Sequence, residues 1–225
     1  MALWIFGDSF SVSRENINKG NIAPWRLWHE RLADNLGLSE YFNYAQWGVS
    51  NEYILDKFLT YQLEYQPGDY IVIQVTSGAR QWFFKEHPEL GNYYVVDIGE
   101  SITESEQQAI DLYINHLHRP EIDELRYFML VKTLERLSQE LAHCKILILP
   151  GFHCVPGVEG IMMNICNGEF VSDDTRASWY SKHYIDPRPN HFCQENHLIL
   201  GDQITEFFQT GTLINLSDGY KQGFL

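Results

Sequence analysis

Hydrophobic residues in this chain fall into short continuous runs that alternate with longer stretches of helical spacing. Short apolar runs between turn residues are typical of strands buried on both faces of a sheet. They predict strands at 2–6, 41–45, 70–75 and 145–149. Apolar positions that recur every three to four residues predict helices over 24–36, 52–65, 103–118, 121–142 and 193–208.

The order of these elements predicts the fold class. Strands that alternate with helices favour an α/β fold with a mostly parallel central sheet. The 225 residues contain no internal repeat, low-complexity tract or linker, so we expect a single domain over residues 1–225. Two stretches are predicted to be irregular, the aromatic stretch 80–101 and the loop-rich stretch 151–190.

Charge and hydropathy exclude several classes of partner. The formal net charge is −14 and no segment is densely basic, so neither nucleic acid nor an anionic membrane surface is expected as a partner. No apolar run approaches the length of a membrane-spanning helix. The N-terminal apolar run is short and lacks a preceding basic region, which argues against a signal peptide. The expected location is the cytoplasm.

The cysteines do not form a metal-binding signature. They are Cys144, Cys154, Cys166 and Cys193. No pair has Cys-x-x-Cys spacing. A zinc site remains an alternative for the last three cysteines together with the nearby residues His153, His191 and His197. Free thiols in a reducing compartment are the simpler interpretation, and no cofactor is expected.

A serine follows the first predicted strand. Gly7-Asp8-Ser9 comes directly after the apolar run 2–6, and parallel sheets bind ligands beyond the carboxyl ends of their strands. A serine in that place becomes a nucleophile when a base lies beside it. The segment is not the Gly-x-Ser-x-Gly elbow of α/β-hydrolases, because Ser11 stands where the last glycine would be. A turn or helix-capping serine is the alternative.

Two further segments are candidates to complete such a site. His191 lies in a proline-bounded loop just before the last predicted helix, from which an imidazole can reach across the sheet edge. Gly48 lies between a predicted strand and helix, where its backbone N–H can approach a developing oxyanion. Taken singly, these residues also fit a surface histidine and a helix-start turn capped by Ser50 or Asn51.

In combination, three segments resemble the motifs of the SGNH or GDSL-type hydrolase superfamily: Gly7-Asp8-Ser9, Ala45–Asn51 and His191–Leu200. The resemblance spans nearly the whole chain. It implies a flavodoxin-like, three-layer α/β/α sandwich with a mostly parallel central sheet. It also implies that Ser9 attacks an ester carbonyl, that His191 is its base, and that the N–H of Gly48 holds the oxyanion. Asp8 and Asn51 are expected to support the site.

One departure from the family pattern concerns the oxyanion site. The family carries Gly-x-Asn-Asp after the third strand, whereas this chain has Val75–Arg80 without an asparagine. One oxyanion donor is therefore absent, or it is replaced by Thr76, Ser77 or Arg80. Arg80 would offer a cationic fork suited to an anion, with a surface salt bridge as the alternative.

A second departure concerns the acid that orients the histidine. The family aspartate usually lies three residues before the histidine, where this chain has Arg188. Asp186 is the candidate orienting acid, because a proline-rich loop can fold it back toward His191. A backbone carbonyl is the alternative. His197 is less favoured than His191 as the base, because His191 precedes the helix.

The resulting hypothesis is a serine esterase that cleaves a carboxylic ester through an acyl-serine intermediate. The substrate would be an O-acetyl group on a glycan, a lipid ester or another small acyl ester, with the aromatic residues 82–84 and 179–180 as candidate pocket walls. An acyltransferase is one alternative. A binding or structural module with little catalysis is another, because a fold does not guarantee activity. Nucleotide or flavin binding is disfavoured, because no glycine-rich phosphate loop follows the first strand.

Overall fold

A parallel four-stranded sheet forms the centre of the molecule. The computed structural model describes residues 1–13, 26–76, 78, 82–87, 91–95, 104–151, 192, 194–211 and 220. The elements in chain order are β1 (Ala2–Phe6), α1 (Trp28–Leu36), β2 (Glu40–Asn43), α2 (Asn51–Thr60), β3 (Tyr70–Val75), β4 (Trp82–His87), β5 (Gly91–Val95), α3 (Glu104–His116), α4 (Pro120–Glu140), β6 (Lys145–Pro150) and α5 (Gln194–Thr210).

The sheet has the strand order β2-β1-β3-β6, and all of its pairs are parallel. In this order the chain starts near the middle, adds a strand on one side and then crosses to the other side, as in flavodoxin-like folds. The longest pairing joins β3 and β6, from Tyr70 opposite Lys145 to Val75 opposite Pro150. The predicted α/β fold with a flavodoxin-like parallel sheet is therefore confirmed.

Helices cover both faces of this sheet and bury two apolar clusters. On one face, α2 and α4 pack against strand residues such as Ile71 and Ile73. On the other face, α1 and α5 pack against residues such as Leu3 and Val72. Because successive strand side chains point to opposite faces, β1 and β3 contribute to both clusters and need apolar residues throughout. The unbroken apolar runs of the sequence follow from this requirement.

The expectation of an irregular stretch at 80–101 is wrong for the residues of β4 and β5. These strands pair antiparallel, with Trp82 opposite Val95 and Phe84 opposite Tyr93. Aromatic and β-branched residues favour strands, so the composition carried a signal for them. That signal was missed because Lys85 and Glu86 interrupt the apolar run and hide its alternation.

Several element boundaries also differ from the predictions. β1 and β3 match, whereas α1 begins at Trp28 rather than at residue 24, α2 ends at Thr60, and β2 covers Glu40–Asn43. At the start of α1 the extended residue Leu27 donates its N–H to the Glu30 carboxylate at 2.9 Å. This contact satisfies one free N–H of the first helical turn. Within the described ranges, no helix combines the length and the apolar character needed to cross a bilayer.

Gly201 allows α1 and α5 to approach closely. A Cβ atom at this position would lie 2.7 Å from the carbonyl oxygen of Trp28 and 2.8 Å from the Cβ of Arg31. A backbone carbonyl cannot move aside as the end of a side chain can. The two helices must therefore separate if residue 201 is enlarged.

We predict that Gly201→Ala lowers the free energy of unfolding by about 1–2 kcal/mol, because overpacking costs more than the gain in helix propensity. Chemical denaturation measures this difference. Gln209→Ala, at an exposed position of the same helix, serves as the control and should stay within about 0.5 kcal/mol of wild type. A Gly201→Ala protein as stable as wild type would contradict the close contact.

At the amino edge of the sheet, the buried carboxylate of Asp69 joins β1 to the turn before β3. It accepts hydrogen bonds from the N–H of Ala2 at 2.7 Å, the indole N–H of Trp4 at 2.9 Å and the N–H of Gln66 at 3.0 Å. Burial alone would raise the pKa of Asp69, but these hydrogen bonds outweigh burial and hold the pKa below its ordinary value of 3.8.

We predict that the stability contributed by Asp69 is present at neutral pH and is lost as the pH falls below about 4. The depressed pKa means that the unfolded chain takes up this proton first, so acidification favours unfolding. Denaturant melts between about pH 7 and pH 3 measure the effect. The pH dependence should be shallower in Asp69→Asn and unchanged in Glu64→Gln, an exposed control. Equal slopes for Asp69→Asn and wild type would refute the prediction.

Candidate active site

The loops that leave the carboxyl ends of the parallel strands meet at one edge of the sheet. Ser9 follows β1, Gly48 follows β2, Thr76 follows β3 and Gly151 follows β6. The pairing of β1 with β2 continues into this edge, because Gln46 donates its N–H to the carbonyl of Gly7 at 3.1 Å. The structure thus brings the described candidate residues to the edge where such sheets bind ligands.

Ser9 lies on a tight turn that is held from several sides. The N–H of Ser11 donates to the carbonyl of Asp8 at 3.0 Å, and the N–H of Phe10 donates to the Asp8 carboxylate at 3.1 Å. An aspartate that bonds the backbone two residues further on is typical of an Asx turn. Ser9 is buried at this edge, with 8% of the residue exposed.

The Asp8 carboxylate connects this turn to β3 and α2. Its second oxygen accepts the hydroxyl of Thr76 at 2.6 Å. Thr76 in turn donates its N–H to the side-chain oxygen of Asn51 at 2.8 Å, and its carbonyl accepts the Asn51 amide at 3.0 Å. Asn51 therefore bonds the backbone of Thr76 as a neighbouring strand would. Asp8, Thr76 and Asn51 form one buried chain of hydrogen bonds beneath the turn.

These contacts limit what Thr76 can do. The residue is fully buried, and its hydroxyl and N–H already donate to Asp8 and Asn51. Its contacts are those of a residue that braces the turn, and direct donation by Thr76 to an oxyanion stays a prediction.

Gly48 adopts a left-handed backbone conformation with φ of 62° in the turn between β2 and α2. Glycine reaches this region without the steric cost that a Cβ imposes. The turn leads into α2, with Ser50 in the N-cap position but without a capping side-chain bond. The oxyanion role of the Gly48 N–H stays a prediction.

An aromatic contact joins the Ser9 turn to the start of α5. The rings of Phe10 and Phe192 are tilted, with centroids 5.3 Å apart, and the indole N–H of Trp28 donates to the carbonyl of Phe10 at 3.1 Å. Phe192 also meets His197 edge-to-face at 5.1 Å. Phe192, two residues before α5, therefore packs directly against the residue that follows Ser9.

His197 has a structural contact in this region. It is 5% exposed, and its Nδ1 accepts the backbone N–H of Trp28 at 3.3 Å. His197 lies inside α5 and bonds α1, and the assignment of His191 as the base stays a prediction. His191, Asp186, Ser77 and Arg80 lie outside the described residues, as does the pair Trp179-Tyr180.

Most of the residues considered as alternative zinc ligands also fall outside the part of the chain that the structure describes. Cys154, Cys166, Cys193 and His153 are outside the described residues. Among the residues that the structure does describe, no group of three or more histidine, cysteine or acidic side chains is arranged to hold a metal ion.

A polar network that holds Ser11 and Val12, shortly after Ser9, was not predicted from the sequence. Asn43 donates its amide to the carbonyl of Ser11 at 2.7 Å and to the hydroxyl of Tyr41 at 2.8 Å. The buried His29 bonds Val12 and Tyr41: its Nε2 lies 3.1 Å from the Val12 carbonyl, and its Nδ1 pairs with the Tyr41 hydroxyl. Since a carbonyl can only accept, we assign the proton to Nε2. Burial raises the pKa of Tyr41.

Gln74 was also missed, although the sequence carried a signal for it. It is a fully buried amide near the end of β3, in a run that is otherwise apolar. Its oxygen accepts the N–H of Asp8 at 3.3 Å and the hydroxyl of Ser11 at 2.6 Å. Burying a polar side chain in a strand lowers stability unless it forms hydrogen bonds. A glutamine in an otherwise apolar strand therefore indicates buried hydrogen-bond partners.

A cavity of about 210 Å³ lies between α2 and α4, beside the end of β3. Asn51 and Gly78 line it nearest the sheet edge, and Leu55, Tyr127 and Leu130 are among its apolar walls. At roughly 30 Å³ per water it holds about seven waters, or a small organic group. Glu52 also lines it, and one of its carboxylate oxygens is buried without a hydrogen-bond partner in the part of the chain described.

Comparison with known proteins adds no assignment: no protein-family model matches the chain, and neither a curated protein nor a solved structure is significantly similar to it.

We predict that Asn51→Ala lowers the free energy of unfolding by about 2 kcal/mol or more, because it removes both bonds to the buried backbone of Thr76. The neighbouring Ser50→Ala is a matched control, since the Ser50 hydroxyl is buried without a hydrogen-bond partner among the described residues. We expect that variant to be as stable as wild type or more stable in denaturant melts. Equal stability of both variants would contradict the role of Asn51.

Proposed function

We propose that this protein is a serine esterase of the SGNH type, which cleaves a carboxylic ester through an acyl-serine on Ser9. The contact between Phe10 and Phe192, with ring centroids 5.3 Å apart, carries this proposal. Phe10 follows Ser9 in the chain and Phe192 follows His191, and consecutive Cα atoms are about 3.8 Å apart. The proposed nucleophile and base are therefore each one residue from a pair of touching side chains.

The proposed mechanism has two half-reactions. The imidazole of His191 takes the proton of Ser9 Oγ as that oxygen attacks the ester carbonyl, and the protonated imidazole then returns the proton to the departing alcohol. Water repeats the sequence on the acyl-serine and releases the acid. Asp186 would hold the imidazole in the required orientation, and the N–H of Gly48 would face the oxyanion.

The braced geometry of the turn supports this assignment of roles. The Asp8 carboxylate accepts hydrogen bonds from Phe10 and Thr76, so it holds the turn and is not the base. Both donors of Thr76 are engaged internally. Of the three residues considered for the missing oxyanion donor, Ser77 and Arg80 therefore remain the stronger candidates.

A small acyl group is the substrate class that we favour, such as an O-acetyl group on a glycan. The cavity of about 210 Å³ next to Asn51 and Gly78 supports this choice, because its volume accommodates a short acyl chain. Its walls are largely apolar, which suits the methyl or short alkyl end of an acyl group.

We predict that the wild-type protein reacts with a fluorophosphonate probe and hydrolyses p-nitrophenyl acetate, and that Ser9→Ala does neither. Removing a serine nucleophile typically lowers turnover by about a thousandfold or more. Ser13→Ala, which alters a serine of the same loop, is the matched control and should retain wild-type rates. His191→Ala should lose turnover to a similar extent, and an Asp186→Asn protein with full activity would refute the orienting role.

The same assay separates the alternatives. A wild-type protein that neither reacts with the probe nor hydrolyses the ester contradicts the esterase and favours a binding module. Transfer of the acetyl group to an added sugar in preference to water would instead identify an acyltransferase using the same acyl-serine.

A further inference from the structure

We infer that Gln74 is a positioning residue that holds the turn carrying Ser9 in its reactive geometry, an inference that rests on the proposed serine chemistry. Gln74 is fully buried in β3, in the strand position just before Val75, where the strand ends. An amide in such a place is unfavourable unless its polar atoms are bonded. A residue that served only to fill this space would be apolar, as Val72 is on the same face of β3.

The bonds of Gln74 bracket Ser9 in the chain. Its side-chain oxygen accepts the N–H of Asp8 at 3.3 Å and the hydroxyl of Ser11 at 2.6 Å. The N–H of Asp8 can only donate, so the amide oxygen must face the turn. One oxygen atom thus ties residues on both sides of Ser9 to β3, an inner strand of the sheet.

Glycines that directly follow the neighbouring strands β1 and β6 leave space for this amide. A Cβ on Gly7 would lie 2.8 Å from the Gln74 oxygen, and a Cβ on Gly151 would lie 3.1 Å from the Gln74 nitrogen. A Cβ on Gly151 would also lie 2.3 Å from the carbonyl oxygen of Val75, so β3 and the residue after β6 approach closely. The position of the amide is therefore determined by β1, β3 and β6 together.

The Gln74 nitrogen is buried and has no acceptor among the described residues. A buried donor without a partner lowers stability. The fold therefore bears a cost at this residue that an apolar side chain would avoid. Among the described contacts, the two hydrogen bonds from Asp8 and Ser11 to the Gln74 oxygen compensate for this loss of stability.

Holding the turn matters because attack requires the serine oxygen to be placed accurately. A displacement of about 1 Å can lower the rate of a reaction about a hundredfold. Release of the Asp8 and Ser11 bonds would let the turn shift while the cavity between α2 and α4 stays intact. We therefore expect loss of Gln74 to reduce kcat and the labelling rate, with little change in KM.

The test is Gln74→Met, which keeps a long side chain in the core but removes the acceptor. We expect a folded protein whose fluorophosphonate labelling rate and kcat fall about tenfold to a hundredfold. Amide hydrogen exchange at Asp8 should become at least about tenfold faster. Val72→Ala is the matched control: Val72 lies on the same face of β3 but outside the turn, so it should lower stability and leave labelling unchanged.

The outcomes distinguish this inference from the proposed function. A folded Gln74→Met protein that labels at the wild-type rate overturns the inference. If that variant fails to fold, Ser11→Ala decides, since it removes one of the two bonds to the same oxygen, and a wild-type labelling rate overturns the inference. If wild type itself does not label, the serine chemistry fails and the catalytic part of the inference fails with it. Unchanged exchange at Asp8 in Gln74→Met would then overturn the structural part as well.

Discussion

The parallel pairing of β1 with β3 is the constraint on which the contacts at both the amino and the carboxyl edge of the sheet depend. Its register sets Phe6 opposite Ile73, and the residues that follow these two are Gly7 and Gln74. A slip by one residue would reverse the faces of every side chain in the strand. It would also separate Asp8 from Thr76 at the carboxyl edge and Trp4 from Asp69 at the amino edge.

The two edges use buried polar groups in different ways. At the amino edge, Asp69 accepts three hydrogen bonds, from Ala2, Trp4 and Gln66, and this arrangement favours stability. At the carboxyl edge, the described residues include buried polar atoms without a hydrogen-bond partner, on Ser50, Glu52 and Gln74. Buried polar groups that lack hydrogen-bond partners are expected more often at functional sites than elsewhere in a protein. This asymmetry coincides with the strand topology, since parallel sheets bind ligands at the carboxyl ends of their strands.

Much of the fold was predictable because buried parallel strands require unbroken apolar runs. β1 and β3 were found at their observed limits for that reason, whereas the β4–β5 hairpin was missed because charged residues interrupt its aromatic runs. The positions of Ser9, Gly48 and Thr76 at the carboxyl edge were predictable because each follows a strand. The role of Gln74 and the pairing of His29 with Tyr41 were missed. The sequence does not reveal which residue a buried polar side chain will bond, because such partners meet only when the chain folds.

By itself, the sequence determined the layer architecture and the edge at which the candidate residues lie, since apolar periodicity dictates which elements are buried. Only the tertiary structure decided how these residues are connected. Asp8 and Thr76, Asn51 and Thr76, and Phe10 and Phe192 are far apart in the chain and meet through strand register and helix packing. Hydrogen bonds and ring contacts act over a few ångströms, so no spacing rule along the chain can specify them.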